Sequence, residues 1–210
     1  MENPPKKLLI FGHSHTRNLG RLVNYTDVNG DNFADFNISP DKLLVKCKGI
    51  GGLHLNDLID DRSPHFNDFD GLMISFLPQT LCLMIGCNEF SYNSSAEEVS
   101  SLMESVASKI RAKYHSLELI VFTQILPRLP NRWINHELYN SQAVRINASL
   151  RSWGSSCPYG YYKWCKVNFP DTPAHLNRLE NIVSRDGVHL NEIGYNSLYY
   201  SLRHVALISS

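Results

Sequence analysis

Several features that mark particular classes of protein are missing from this sequence. Its 20 basic and 20 acidic residues cancel to a formal net charge of zero, so the chain lacks the positive field that attracts nucleic acid. No apolar run approaches the roughly 20 residues that cross a bilayer, and the short run after Lys6 and Lys7 does not have the length of a secretory signal. We therefore expect neither a nucleic-acid partner nor a transmembrane segment.

Cysteine pairs typical of disulfide or zinc frameworks are also missing. The cysteines are odd in number and form no CxxC pair: Cys47, Cys82, Cys87, Cys157 and Cys165. This usage is typical of reduced thiols inside a cell, and it predicts a cytoplasmic protein. His13, His15 and His54 lack the spacing and the carboxylate neighbours of a zinc site, so we expect no metal and no cofactor.

The chain does contain an alternation of apolar runs and segments with helical spacing. With 210 residues, 43% of them apolar, we expect residues 1–210 to form one domain with a substantial core. Buried strands are predicted at 7–12, 43–48, 80–86 and 117–124, with a fifth within 160–167. Helices are predicted at 15–24, 53–61, 95–114, 136–153 and 190–207. This alternation predicts an α/β fold of three layers, α/β/α, with a central parallel sheet of about five strands.

Polar residues suited to chemistry follow the predicted strands. Ser14 comes two residues after the first strand, Gly52 closes a GIGG run after the second, and Asn88 follows the third. Asp186 and His189 stand three positions apart in a turn before the last helix, which puts both side chains on one side. Because ligands of such sheets bind beyond the carboxyl ends of the strands, we expect these residues to meet there.

The residue types match what acyl transfer requires. A serine hydroxyl needs a base to take its proton, and the base needs an acceptor that orients it. Ser14, His189 and Asp186 can fill these three roles. The negative charge that develops on the carbonyl oxygen needs hydrogen-bond donors, which the backbone N–H groups of Ser14 and Gly52 and the side-chain amide of Asn88 can supply.

Four segments carry a resemblance to a known family. They are FGHSH (11–15), GIGG (49–52), IGCNEF (85–90) and DGVHL (186–190). In order and content they resemble the blocks of the SGNH hydrolases, also called the GDSL esterase and lipase family, and the resemblance extends from residue 8 to about residue 205. It implies a flavodoxin-like α/β/α fold and the hydrolysis of carboxylic esters, acetyl or lipid acyl, through an acyl-enzyme.

The resemblance also implies a role for each matching residue. Ser14 is the expected nucleophile and one oxyanion donor, with His189 as its base and Asp186 as the partner of that base. Gly52 and Asn88 are the other expected oxyanion donors, although the adjacent glycine of the GIGG run competes with Gly52 for the backbone role.

Two positions depart from the family pattern. His13 stands where the family usually has the aspartate of Gly-Asp-Ser, and Glu89 stands where it usually has the aspartate of Asn-Asp. A second hypothesis is therefore a binding or scaffolding domain that has kept the fold without turnover. The segment DGVHLN (186–191) before a Tyr-rich helix also resembles the SGNH-like domains of proteins encoded by animal retroelements. Thr16 occupies the place of the second glycine in G-x-S-x-G, which argues against the nucleophile elbow of the α/β-hydrolases.

Each signal taken alone has an ordinary structural explanation. Ser14 can cap the first helix, Asp186 and His189 can open the last one, and Asn88 can satisfy a loop backbone. The occurrence of all the blocks in one order, each at a predicted strand end or turn, favours the active-site interpretation.

The loop at 125–138 offers candidates for contact with substrate. Arg128 and Trp133 are predicted to form a wall against an acyl chain or an anionic head group of a small-molecule or lipid ester. A solvated helix face with one aromatic anchor explains the same residues equally well. The sequence leaves open the acyl length, the alcohol part of the ester and the oligomeric state.

Overall fold

The computed structural model describes residues 4–22, 36–90, 94–130, 135–157, 161–167, 169 and 178–210. Its strands are β1 (Lys6–Gly12), β2 (Leu43–Gly49), β3 (Thr80–Met84), β4 (Leu119–Thr123) and β5 (Tyr162–Cys165). Its helices are α1 (Ser14–Leu22), α2 (Phe66–Phe76), α3 (Ala96–Lys113), α4 (His136–Ser156) and α5 (Glu192–Ser209). Within the described residues, no helix has the length and apolar content needed to cross a membrane.

The strands form one parallel sheet in the order β2-β1-β3-β4-β5. The chain moves outward in one direction from β1 to β2, and then in the other direction from β3 to β5. Such a reversal leaves a crevice between β1 and β3 at the carboxyl ends of the strands, where ligands of doubly wound sheets bind. The predicted α/β fold with a parallel sheet of about five strands is confirmed.

Side chains that alternate along the strands divide the core into two layers. On β1, Leu9 and Phe11 pack with residues of α2, α3 and α4, whereas Leu8 and Ile10 pack with residues of α1 and α5. All four side chains are fully buried. The inner strands β1, β3 and β4 are therefore covered on both faces, which is why they read as continuous apolar runs rather than as alternating ones.

The prediction of a helix at 53–61 is wrong. Only Leu55–Leu58 turns there, as a short 3-10 helix. Asp57 accepts hydrogen bonds from the amide of His54 at 2.8 Å and from the hydroxyl of Ser63 at 2.7 Å. Local side-chain bonds of this kind favour a turn over a continued helix.

Helix α2 (Phe66–Phe76) is absent from the elements predicted from the sequence. Its buried residues follow a helical spacing of three and four: Phe66, Phe69, Met73 and Phe76. Asn67, Asp68, Asp70 and Gly71 lie among them, and all four have low helix propensity. The burial of the apolar stripe outweighs these local preferences.

Several predicted boundaries shift by a few residues. The third strand ends at Met84 rather than at residue 86, and the fourth begins at Leu119 rather than at 117. The last helix begins at Glu192, so Asp186 and His189 lie in the loop before it.

Candidate active site

Ser14 lies where the chain turns from β1 into α1. It is the first residue of α1, and the carbonyl of His13 accepts hydrogen bonds from the amides of Thr16 and Arg17, at 3.1 and 3.2 Å. His13 is therefore the N-cap residue of α1, and the alternative in which Ser14 caps this helix is wrong. The serine stands at the carboxyl edge of the sheet, just after β1, which lies between β2 and the middle strand β3.

The imidazole of His189 bridges Ser14 and Asp186. Its Nε2 lies 3.0 Å from the hydroxyl oxygen of Ser14, and its Nδ1 lies 2.7 Å from Oδ2 of Asp186. The serine and the aspartate thus use opposite nitrogens of one ring. With Nδ1–H donating to the carboxylate, Nε2 has a lone pair that can accept from the serine hydroxyl.

Asp186 is held in its turn by hydrogen bonds to its other carboxylate oxygen. Oδ1 accepts from the hydroxyl of Ser184 at 2.7 Å and from the amides of Val188 and His189, both at 2.8 Å. Burial raises the pKa of Asp186, but the hydrogen bonds from the His189 ring, the two amides and Ser184 together outweigh it and hold the pKa well below its usual range. The carboxylate is therefore ionised at neutral pH.

The turn that carries Asp186 and His189 is separate from α5. The N-cap of α5 is Asn191, whose side-chain oxygen accepts from the amide of Gly194 at 3.0 Å. The alternative in which Asp186 and His189 open the last helix is therefore wrong. The amide of Leu129 donates to the carbonyl of Gly187 at 3.0 Å, which ties this turn to the loop after β4.

Gly52 and Asn88 belong to neighbouring loops after β2 and β3. Gly52 has a φ of 76°, a conformation that glycine adopts without steric cost. The side-chain nitrogen of Asn88 donates to the carbonyl of Leu53 at 2.9 Å. A primary amide carries two N–H donors, so this bond leaves Asn88 a second one.

Glu89 joins the same two loops. Its carboxylate accepts from Nδ1 of His54 at 2.6 Å and from the amide of Leu55. The Glu89 side chain is only 7% exposed, whereas that of His54 is 57% exposed. From the sequence alone, Glu89 was only a departure from the family pattern, and its position next to Asn88 was the one signal that pointed to the site.

Two buried histidines flank Ser14. Nδ1 of His13 lies 3.4 Å from the amide of His15, and the ring of His15 lies 5.6 Å from that of His189. Burial lowers the pKa of His13 to about 3, with the charges of Arg128 and His189 adding to the effect, and burial lowers that of His15 well below its ordinary value. Both rings are therefore neutral at neutral pH.

Of the two residues predicted to contact substrate, Arg128 lies within the described part of the chain. The guanidinium of Arg128 lies over the ring of Tyr139, 4.4 Å from its centroid, and donates to the carbonyl of Cys87 at 3.5 Å. Arg128 thus sits next to the loop of Asn88. Trp133 lies outside the described residues. Among the described residues, no three His, Cys, Asp or Glu side chains form a metal-binding group.

A parallel α/β sheet with a serine, a histidine and a carboxylate linked at its carboxyl edge has the form of a hydrolase. The profile described as GDSL-like Lipase/Acylhydrolase matches residues 8–200. The chain therefore belongs to the GDSL-like lipase and acylhydrolase family, and it is a carboxylic ester hydrolase by class. Among curated proteins, none shows a significant sequence match to this chain.

Solved structures show the same fold at low sequence identity. A lipase/acylhydrolase from Enterococcus faecalis superposes with a TM-score of 0.63 at 13% identity, covering 95% of this chain and 94% of that one. An acetylxylan esterase from Geobacillus stearothermophilus superposes with a TM-score of 0.59 at 16% identity, covering 98% and 96%. At such identities, the similarity extends to the fold alone.

Proposed function

We propose that this protein is a serine esterase that hydrolyses carboxylic esters through an acyl-enzyme, with Ser14 as nucleophile, His189 as base and Asp186 as its partner. The observation that carries the proposal is the continuous hydrogen-bonded chain, 3.0 Å from Ser14 to Nε2 and 2.7 Å from Nδ1 to Asp186. Both distances lie within the range needed for proton transfer. The ionised carboxylate favours the imidazolium that forms when the serine loses its proton.

The reaction has two halves. In the first half, the Ser14 oxygen bonds to the ester carbonyl carbon while Nε2 of His189 takes the hydroxyl proton, and the carbonyl oxygen becomes an oxyanion. The bond to the alcohol oxygen then breaks, and His189 returns the proton to that oxygen. In the second half, the oxygen of a water molecule bonds to the acyl carbon while Nε2 of His189 takes one water proton. The bond from the acyl carbon to the Ser14 oxygen then breaks, His189 returns the proton to that oxygen, and the carboxylic acid leaves.

Three donors are proposed to stabilise the oxyanion: the backbone N–H groups of Ser14 and Gly52 and the side-chain amide of Asn88. Two observations support this set. The N–H of Ser14 is at the amino end of α1, where amides lack partners within the helix. The bond from Asn88 to Leu53 links the Asn88 loop to the segment that follows Gly52.

The substrate is proposed to be an acetyl or lipid acyl ester, with Arg128 and Trp133 along one side of it. The contact of the Arg128 guanidinium with the carbonyl of Cys87 supports this for Arg128, since Asn88 is the next residue. The proposal takes residues 1–210 as one domain, which the profile match over 8–200 and the shared sheet support.

A panel of p-nitrophenyl esters with acetyl, butyryl and long acyl chains tests the function. We expect the wild type to hydrolyse at least one member, Ser14→Ala to lose this activity while remaining folded, and Ser108→Ala, on an exposed turn of α3, to keep it. Undiminished hydrolysis by Ser14→Ala would refute Ser14 as the nucleophile. A wild type that hydrolyses no ester of the panel would favour the scaffolding alternative.

A further inference from the structure

The loop after β2 has little packing of its own at the point where it supplies an oxyanion donor. Gly51 and Gly52 are both exposed. A Cβ on Gly51 would lie 3.2 Å from the Arg17 guanidinium, whereas no heavy atom beyond the adjacent residues lies within 4 Å of the position that a Cβ on Gly52 would occupy. The loop is fixed before this point by the amide of Ile50, which donates to the carbonyl of Gly12 at 2.8 Å. Because Gly52 is exposed and has no side chain packed against it, an anchor on the residues that follow it restricts its conformation.

Residues 88 and 89 provide that second anchor. Asn88 donates to the carbonyl of Leu53, and the Glu89 carboxylate accepts from the ring of His54 and from the amide of Leu55. Three consecutive residues of the β2 loop are therefore bonded to two consecutive residues of the β3 loop. The side chains of Leu53 and Leu55 are fully buried, so the segment is held from both sides.

Glu89 is the part of this anchor that depends on side-chain length. Its carboxylate is almost fully buried, and a buried carboxylate is tolerated only when partners compensate its charge. Oε1 accepts a hydrogen bond from the amide of Leu55, and Oε2 accepts one from Nδ1 of His54. One planar carboxylate therefore fixes the positions of both partners. An aspartate is shorter by one methylene and cannot reach both without movement of a loop.

We propose that Glu89 is a positioning residue for ester hydrolysis, which fixes the Gly52 amide relative to the Asn88 amide through His54 and Leu55. The proposal rests on the proposed function, because it assigns both amides to the oxyanion. Glu89 then contributes to the reaction, and its presence does not indicate that activity has been lost. The required property is the length of the glutamate rather than its charge.

Three variants separate length from charge. Glu89→Gln keeps the length, an oxygen for the Leu55 amide and a second polar group within reach of Nδ1 of His54, so we expect a kcat close to that of the wild type. Glu89→Asp and Glu89→Ala lose the reach, and we expect kcat to fall about 10- to 100-fold while KM stays unchanged. Glu98→Asp is the matched control, since this glutamate caps α3 through Ser95, and its kcat is expected to stay unchanged.

Amide hydrogen exchange provides a readout that does not require activity. We expect the amides of 53–55 to exchange faster in Glu89→Asp and Glu89→Ala than in the wild type or Glu89→Gln, with β4 unchanged in all four. Wild-type exchange of 53–55 in Glu89→Ala would overturn the proposal, as would a Glu89→Asp enzyme at least as active as Glu89→Gln. A wild type without Ser14-dependent hydrolysis would instead overturn the proposed function, and the exchange result would still show whether Glu89 holds residues 53–55 in place.

Discussion

The Nε2 atom of His189 lies 3.0 Å from the hydroxyl oxygen of Ser14, although the two residues are 175 positions apart in the chain. The sheet order explains this contact. β1 lies next to the middle strand β3 and delivers Ser14 to the carboxyl edge of the sheet, while the loop before α5 returns to the same edge. The Leu129 amide bond to Gly187 then fixes the returning turn against the loop after β4.

The first prediction concerns Asp186→Asn. The asparagine can donate from its amide where the carboxylate only accepts, so it permits the wrong tautomer of His189, and we expect kcat to fall about 10³- to 10⁴-fold. Steady-state kinetics on an active p-nitrophenyl ester measures this. Asp60→Asn, in an exposed pair with Arg62, is the control and should keep its activity. A loss below about tenfold would contradict the role of Asp186.

The second prediction concerns Asn88→Ala. Removal of one oxyanion donor should lower kcat about 10²- to 10³-fold and leave KM near the wild-type value, because the oxyanion exists only in the transition state. Asn56→Ala, at an exposed position of the 3-10 turn Leu55–Leu58, is the control. If Asn88→Ala raised KM and left kcat intact, Asn88 would be a ground-state contact instead.

The third prediction concerns His13 and acid stability. Burial lowers the pKa of His13 to about 3, with the charges of Arg128 and His189 adding to the effect. The unfolded chain therefore binds more protons than the folded one between about pH 6.5 and pH 3, and stability falls as the pH falls through this window. His13→Asn removes the titrating group and keeps an acceptor, so we expect it to lose about 2 kcal/mol less than the wild type from pH 7 to pH 5.

Urea unfolding at both pH values measures this difference in the free energy of unfolding. His204→Asn, at an exposed position of α5, is the control and should lose the same stability as the wild type. If His13→Asn and the wild type lost equal stability, His13 would not be the buried neutral ring described above.

The fourth prediction concerns Arg128. Arginine is always charged, and none of the carboxylates in the described residues forms an ion pair with Arg128. For Arg128→Met, we expect kcat/KM to fall about tenfold more for p-nitrophenyl hemisuccinate than for the neutral butyrate. Arg151→Met is the control, since Arg151 also lies over an aromatic ring, that of Trp164. Equal losses on both esters would assign Arg128 to packing.

Much of the fold could be predicted because its inner strands β1, β3 and β4 are buried on both faces. Runs such as LLIFG and LCLMIG, bounded by glycine, proline or polar residues, have few alternatives to strands of a parallel sheet. Helix α2 was missed because residues of low helix propensity interrupt its apolar stripe. Periodicity predicts a longer helix around the turn at Leu55–Leu58 because it carries no information on the hydrogen bonds of Asp57 with His54 and Ser63.

The candidate site could be predicted only as far as its motifs extend. The positions of Ser14, Asn88, Asp186 and His189 follow from the blocks that the chain resembles. The contacts of Glu89 with His54 join loops about 35 positions apart, and neither residue carries a spacing signal for the other. Long-range side-chain contacts of this kind become visible only when the sheet brings the loops together.

Mass spectrometry of the protein after reaction with a fluorophosphonate tests the central claim most directly. We predict a single adduct on Ser14 in the wild type, none on Ser14→Ala, and much slower labelling of His189→Ala, since the oxygen then lacks its base. An unmodified wild-type protein, or an adduct on another residue with Ser14 left free, would contradict the account.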